Sequence, residues 1–196
     1  MSEPVAPLSV DLPVAEPTVA AAPLIGIKET GLRGMITLRG DLASEALQAA
    51  VDEAVGLKVP EPLAMSADGD ARAIWMSPDE LLLLCGYADA NAAIVRIGEQ
   101  MGDAHHMALN VSDARAVIRL TGSRVGEVLA KGAPCDCSDH GFPVGTARRT
   151  HLAGLAVAFW RLEQDVWEIV ALRSYSHHLM TWLETASVAG SEVWAD

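Results

Sequence analysis

Short apolar strands alternate with amphipathic helices along most of the chain, beginning at Gly34. In the first half, the alternating segment 35–38 predicts a strand, and apolar positions at helical spacing predict a helix that Gly56 ends. Residues 57–71 contain two prolines and an Asp-Gly-Asp sequence, which predicts a loop. The elements predicted next are strands at 71–76 and 81–85, joined by a turn at 77–80, and a helix at 88–101.

The second half repeats this order of elements. Its predicted elements are a strand at 114–120, a short helix ending at Gly132, strands at 146–152, 155–161 and 166–172, and a helix at 174–186. Both halves fit a βαββα unit, with one extra strand pair in the second half, which indicates an internal duplication. We therefore predict an α+β fold of duplicated βαββα units that form one domain. Neither half is expected to close a core alone, so the two sheets should pair or pack as one unit.

The chain ends differ from this pattern. Residues 1–30 are rich in proline, alanine and valine and show no period, which predicts an extended N-terminal arm outside the core. Residues 31–187 are predicted to form the single duplicated domain, with halves at about 34–101 and 114–187. Residues 188–196 are predicted to form a C-terminal tail.

Composition narrows the class of protein. Hydrophobic residues make up 51% of the 196 residues, yet the longest apolar runs, such as 152–160, reach about half the length of a membrane-spanning helix. The apolar surplus is therefore expected in a core or a partner interface. A net charge of −12 argues against nucleic acid and membranes as partners. Three cysteines, an odd number, with no basic segment before the first apolar stretch predict a cytoplasmic protein.

Basic residues are concentrated in the second part of the chain. Residues 1–110 carry 6 basic and 16 acidic residues, while residues 111–196 carry 8 and 10. Arginine weakly binds water and pairs well with carboxylates, so an arginine-rich surface favours partner contacts, with ordinary solvated surface as the open alternative. The arginines concerned are Arg115, Arg119, Arg124, Arg148, Arg149, Arg161 and Arg173.

The most enzyme-like local feature is Cys135-Asp136-Cys137 followed by His140. Two thiolates and an imidazole suit zinc, but structural zinc sites use four ligands and usually Cys-x-x-Cys spacing. Small apolar thiols in a turn are the favoured interpretation, with a metal or redox role left open.

Other candidate chemistry is sparse. The neighbouring pairs His105-His106 and His177-His178 point to different sides of a strand or helix, so neither pair converges on one ligand. No Gly-x-Ser-x-Gly, phosphate loop or dinucleotide fingerprint is present. We therefore predict no catalytic, cofactor-binding or metal-ligating residue in this chain. Core packing is expected for most tryptophans, with flavin stacking as the minor alternative, for Trp75, Trp160, Trp167, Trp182 and Trp194.

Three segments taken together resemble a known family. They are GLRGMITLRGD (31–41), WMSPDELLLL (75–84), and the stretch from NVSDARAVIRLTG (110–122) through VGEVLAKGAPCDCS (125–138) and FPVGTARRTHL (142–152) to RSY (173–175). Over roughly residues 30–187 the chain resembles the gamma subunit of heterotetrameric sarcosine oxidase. The Ser-Pro-Asp-Glu turn before a leucine-rich strand is also similar to the wider folate-binding aminomethyltransferase group.

The resemblance implies a fold akin to the folate-binding domain of aminomethyltransferases, used as one of four different subunits. Such a complex oxidises sarcosine to glycine at a covalent flavin, passes the carbon to tetrahydrofolate and releases hydrogen peroxide. FAD, FMN, NAD and folate are implied in the larger partners among the alpha, beta and delta subunits, and zinc in the smallest, with no catalytic residue in gamma. One departure is Cys135 and Cys137, where the family tends to have apolar residues.

Two rival identities follow from the same resemblance. A subunit of N-methylglutamate dehydrogenase shares this architecture, and the sequence does not separate the two complexes. A free-standing folate-dependent aminomethyltransferase is similar in fold, but such enzymes run to nearly twice this length and use a paired-aspartate motif. This sequence contains no Asp-Asp, which favours the subunit.

Overall fold

The computed structural model describes residues 4–8 and 23–194, which form ten strands and four α-helices with short 3₁₀ turns. The strands are β1 (Gly26–Glu29), β2 (Gly34–Arg39), β3 (Met65–Asp68), β4 (Ala71–Ser77), β5 (Glu80–Cys85), β6 (Met107–Asn110), β7 (Arg115–Thr121), β8 (Ala147–Leu152), β9 (Leu155–Glu163) and β10 (Val166–Leu172). The helices are α1 (Glu45–Val55), α2 (Ala90–Met101), α3 (Val125–Ala130) and α4 (Ser176–Ala186).

The chain divides into two compact units, each with its own sheet. The first unit comprises Leu32–Arg115 and Gly145–Arg148, and the second unit comprises the described residues of the rest. The first sheet has the strand order β3-β4-β5-β2-β6, and the second has β8-β9-β10-β7-β1. The two orders correspond strand for strand, which supports the predicted duplication and the α+β class.

In the first unit, α1 covers one face of the sheet. The helix begins after Ser44, whose hydroxyl oxygen accepts a hydrogen bond from the Leu47 amide, and ends at Gly56, where φ is 70°. Its apolar side packs with Ile36 and Leu83 in one core cluster. Full burial of each such side chain stabilises the fold by about 1.5–3 kcal/mol.

In the second unit, the core is built around aromatic rings. Phe142 and Trp167 lie with ring centroids 4.6 Å apart, and Leu179 and Leu183 of α4 belong to the same cluster. Strands β8 and β9 are joined by a two-residue turn, in which Ala153 and Gly154 both have positive φ. This is the turn type whose twist matches that of the strands it joins.

Three strands were not predicted from the sequence pattern. Strands β1, β3 and β6 each have four residues, lie at sheet edges and leave half or more of their residues incompletely buried. Strand β3 lies in the segment predicted as a loop at 57–71. Its presence supplies the strand that the first half lacked, so the extra strand pair expected in the second half does not break the repeat.

The end of the predicted N-terminal arm belongs to a sheet. Strand β1 pairs antiparallel with β7, and Ile25 is only 3% exposed in the core of the second unit. This corrects the expectation of an arm wholly outside the core; residues 1–3 and 9–22 of that arm lie outside the described residues. The two units also have separate core clusters. That residues 31–187 act as a single domain stays a prediction.

Candidate functional site

Cys135 and Cys137 lie together in the loop between α3 and β8. Their Sγ atoms are 3.8 Å apart, Cys137 is 2% exposed, and Cys135 is half-buried. His140 is exposed; the pKa of the neighbouring Asp136 is lowered mainly by hydrogen bonds from Ser138 and to a smaller extent by the charge of His140. Within residues 4–8 and 23–194, no group of three or more histidine, cysteine or carboxylate side chains is placed to hold a metal ion. The residues around this pair therefore do not fit a tetrahedral zinc site.

The two histidine pairs lie in different units. His105 and His106 follow α2, and the His106 Nδ1 atom lies 2.8 Å from the carbonyl oxygen of Ala104. His177 and His178 lie in the first turn of α4. The structure therefore does not bring the two pairs into one described unit.

An open groove lies in the first unit, between α1 and the loops beside it. It has a volume of about 1010 Å³, and its lining includes Trp75 and three prolines, Pro60, Pro62 and Pro78. Its charged lining consists of Asp41, Asp52, Glu61 and a single Lys58. An indole face and three carboxylates attract a cation, both through the ring and through opposite charge. We call this surface the Trp75 groove.

A buried carboxylate lies on the sheet of the second unit. Glu168 on β10 is 0% exposed, and its Oε1 atom accepts a hydrogen bond of 2.7 Å from Arg119 on β7. Its Oε2 atom accepts one of 3.0 Å from the indole Nε1–H of Trp160 on β9. Because a buried charge is expensive unless it is paired, these contacts fix three neighbouring strands to one another.

A second buried carboxylate holds the C-terminal segment. Glu127 on α3 is 1% exposed and accepts hydrogen bonds from the Val193 and Trp194 amides and from the guanidinium of Arg124. Burial acts to raise the pKa of Glu127, but these hydrogen bonds outweigh it and hold the pKa below its usual range. The predicted tail is therefore attached to the second unit as far as Trp194.

Most arginines of the second part act inside the chain. Arg161 is 3% exposed, donates to the carbonyl oxygen of Phe142 and to Asp139, and lies over the ring of Trp167. Arg148 donates to the carbonyl oxygen of Leu63, a residue with a positive φ of 63°. Burial removes Arg161 from the arginines expected at a partner surface; for the others the partner surface stays a prediction.

Arg149 is an exposed member of the arginines concentrated in the second part of the chain. It lies exposed on β8, which is an edge strand of its sheet. A side chain on an edge strand meets any partner that approaches that side of the sheet.

Sequence reasoning missed the buried carboxylates. One signal was available for Glu168, because it interrupts the apolar run of β10 at a position that must be buried. For Glu127 the only local partner is Arg124, and the two backbone amides that it also binds lie 66 and 67 residues away, beyond the reach of a local pattern. None of the helices in the described part of the chain combines the length and the apolar character that crossing a bilayer requires.

Comparison with known proteins identifies a family. A family model described as "Sarcosine oxidase, gamma subunit family" matches residues 39–189. A sarcosine oxidase subunit gamma from Corynebacterium sp. (strain P-1) is 33% identical over 138 residues, which cover 69% of this chain and 66% of the relative. The corresponding subunit from Corynebacterium sp. (strain U-96) is 30% identical over 92% of this chain and 86% of the relative.

Solved structures agree on the fold. A chain of the heterotetrameric sarcosine oxidase from Corynebacterium sp. U-96, solved with pyrrole 2-carboxylate, matches with a TM-score of 0.77 and 26% identity over 88% of both chains. Aminomethyltransferase T of the glycine cleavage system from Bartonella henselae matches with a TM-score of 0.61 and 11% identity. That second match shows the fold alone, and it covers 83% of this chain but 46% of the enzyme.

Proposed function

The chain belongs to the sarcosine oxidase gamma subunit family, and we propose that it is a non-catalytic structural subunit of a heterotetrameric sarcosine oxidase. The observation that carries this proposal is the match to a chain of the solved heterotetramer over 88% of both chains. A match of that extent covers both sheets and is not limited to one shared motif.

In this proposal the complex oxidatively demethylates sarcosine to glycine, with tetrahydrofolate as the one-carbon acceptor and release of hydrogen peroxide. FAD, FMN, NAD and tetrahydrofolate are bound by partner subunits, which we assign as alpha, beta and delta. The complex works in the cytoplasm. No residue of this chain is assigned to a step of the reaction.

The hydrogen bonds of the buried charged groups support a structural role. Glu168 and Glu127 are saturated by donors from neighbouring strands and from the C-terminal segment, and Arg161 anchors a loop. A general acid or base needs access to a substrate proton, which these positions deny. Their charges stabilise the arrangement of the elements instead.

The Trp75 groove is the surface that we propose for contact with a partner. Three carboxylates and one lysine give it a net negative lining, and the indole offers a flat apolar contact. The complementary occupant is an extended segment of a partner subunit that carries lysine or arginine. Charge complementarity of this kind steers association and selects the partner.

Co-expression of the larger subunits with and without this chain tests the structural role. We expect loss of the assembled complex, or a lower melting temperature, when the chain is absent, because an obligate partner stabilises by mass action. Complex size, flavin content and sarcosine turnover are measured together. Unchanged assembly and stability without the chain would contradict the proposal.

Charge-reversal variants test the groove with a matched control. Asp52 lines the groove, whereas Asp68 is an exposed aspartate on β3 that does not. Asp52→Lys should weaken association tenfold or more, about 1.4 kcal/mol, while Asp68→Lys with the same charge change should not. Equal effects would mean that the groove is ordinary surface. Arg149→Glu tests the β8 edge in the same assay, because Arg149 is exposed on that strand.

Measurements of substrate turnover distinguish the rival identities. An aminomethyltransferase-like enzyme predicts that the isolated chain transforms a folate substrate and that a point mutation abolishes this. An N-methylglutamate dehydrogenase subunit predicts a reconstituted complex that prefers N-methylglutamate to sarcosine. We expect neither: the isolated chain should be inactive, and the complex should prefer sarcosine.

A further inference from the structure

The loop between α3 and β8 holds two thiols in van der Waals contact. The Sγ atoms of Cys135 and Cys137 are 3.8 Å apart, and the Cys137 thiol lies 3.6 Å from the carbonyl oxygen of Cys135. A disulfide requires about 2.05 Å between the sulfurs. The two sulfur atoms must therefore approach each other by less than about 2 Å, which rotation of the side chains can supply. The pair is thus placed for bond formation.

The backbone that follows Cys135 is held by hydrogen bonds. The Ser138 amide donates to the carboxylate of Asp136, and the Phe142 amide donates to the carbonyl oxygen of Ser138. Arg161 then holds the carbonyl oxygen of Phe142 from the neighbouring sheet. Because the loop is anchored, the two thiols are held close together. Each thiol therefore has a high effective concentration for reaction with the other.

The two thiols differ in access. Cys135 is half-buried and reachable from solvent, whereas Cys137 is 2% exposed and belongs to the core cluster of the second unit. A reagent from solution therefore meets Cys135 first. Cys137 is placed to react next, from the protected side.

We infer that Cys135 and Cys137 form a reversible disulfide when the chain meets a hydroperoxide. The Cys135 thiolate attacks a peroxide oxygen; the O–O bond breaks, leaving a sulfenic acid on Cys135 and one water. The Cys137 sulfur attacks the Cys135 sulfur; an S–S bond forms, the S–O bond breaks, and the second water leaves. Two thiols and one hydrogen peroxide thus give one disulfide and two waters.

The bond should be easily reduced. Residues only two apart close a small ring, which gives little loop-closure stabilisation and strains the disulfide geometry. Strained and exposed disulfides have more oxidising potentials than structural ones, so a small thiol such as glutathione should reopen this bond. Reversibility distinguishes this pair from a structural crosslink.

The third cysteine is an internal control. Cys85 lies on β5 in the other unit, and burial raises the pKa of its thiol, with the charge of Asp89 adding to the effect. It therefore presents little thiolate and has no cysteine beside it within its unit. It should stay reduced while the pair oxidises.

The test uses the reduced full chain treated with hydrogen peroxide, followed by thiol counting under denaturing conditions and by mass spectrometry. Cleavage after Lys131 and Arg148 leaves both cysteines in one peptide, 132–148, separate from Cys85. We expect three thiols to fall to one, peptide 132–148 to lose two hydrogen atoms, and glutathione to restore all three.

Single variants assign the steps. In Cys137→Ala we expect a sulfenic acid trapped on Cys135, and in Cys85→Ser the same two-thiol loss as in the unaltered chain. Fluorescence of Trp167, which packs beside Phe142 and Cys137 in one cluster, should change on oxidation of the unaltered chain. Retention of three thiols, disulfide-linked dimers, or oxidation of Cys135 to a sulfinic acid with Cys137 unreacted would each overturn the inference.

Discussion

Removal of the Glu168 carboxylate should destabilise the second unit more than any surface change nearby. Glu168→Ala deletes the acceptor of the Trp160 indole N–H and the partner of Arg119. Trp160 is fully buried, so its N–H has no route to water after the change. Arg119 is 38% exposed at its side chain and can turn toward solvent.

The expected loss follows from these two environments. An unpaired buried donor costs about 1–3 kcal/mol. The Arg119 pair adds at most about 1 kcal/mol, because a partly exposed guanidinium is screened and rehydrated. We therefore expect Glu168→Ala to lower the free energy of unfolding by about 1–4 kcal/mol. Glu168→Gln keeps one acceptor oxygen and should cost less than Glu168→Ala.

Urea unfolding followed by far-ultraviolet circular dichroism measures the loss. Glu163→Ala is the matched control, because that glutamate is exposed at the end of neighbouring β9; its effect should stay within about 0.5 kcal/mol. A double-mutant cycle with Trp160→Phe isolates the indole contact. In that background Glu168→Ala should cost about 1–3 kcal/mol less, because no donor is left unpaired.

Two results would refute this reasoning. The first is a Glu168→Ala variant as stable as the Glu163→Ala control. The second is a cycle with zero coupling between Glu168 and Trp160, which would mean that the hydrogen bond contributes nothing in solution.

Three further predictions concern a turn, a titrating group and the domain organisation. Ala153 has a φ of 50°, so Ala153→Asn should raise the free energy of unfolding by about 0.5–1 kcal/mol and Ala153→Val should lower it, both by urea unfolding. Because the folded-state pKa of Glu127 is lowered, its stabilisation is complete above the unfolded-state pKa and is lost as pH falls through the folded value. Trp194 emission, obtained as the difference from Trp194→Phe, should shift in that acidic range, and Glu127→Gln should abolish the step. Limited proteolysis should clip about the first 25 residues and leave the remainder as one fragment; first cleavage within 102–114, releasing two stable halves, would contradict the single domain.

Elements with a buried face could be predicted from the sequence. The helix α1 and the strands β4, β5 and β10 are bounded within a few residues of their predicted limits, because their apolar positions repeat with the period of the element. Edge strands such as β3 and β6 have no such repeat, since their outer residues face solvent. Hydrogen bonding to a neighbouring strand holds them in place, and the local sequence does not show which strand that neighbour is.

The same limit applies to the candidate sites. The Cys135-Asp136-Cys137 spacing was visible, but the contact between the two thiols depends on how the loop is anchored by Arg161, a residue more than twenty positions away. The Trp75 groove is assembled from a helix, a strand and three connecting segments. Residue types alone therefore indicated possible chemistry and not its placement.

The pairing of β1 with β7 sets an order on how the chain can fold during translation. Gly26 lies opposite Thr121, so a ribosome adding 5–20 residues per second delivers the partner strand roughly 5–20 s after β1. β7 itself borders β10, which is made later still. A product that stops after the first half therefore presents Ile25 and Ile27 with no strand beside them, which favours edge-to-edge association of nascent chains.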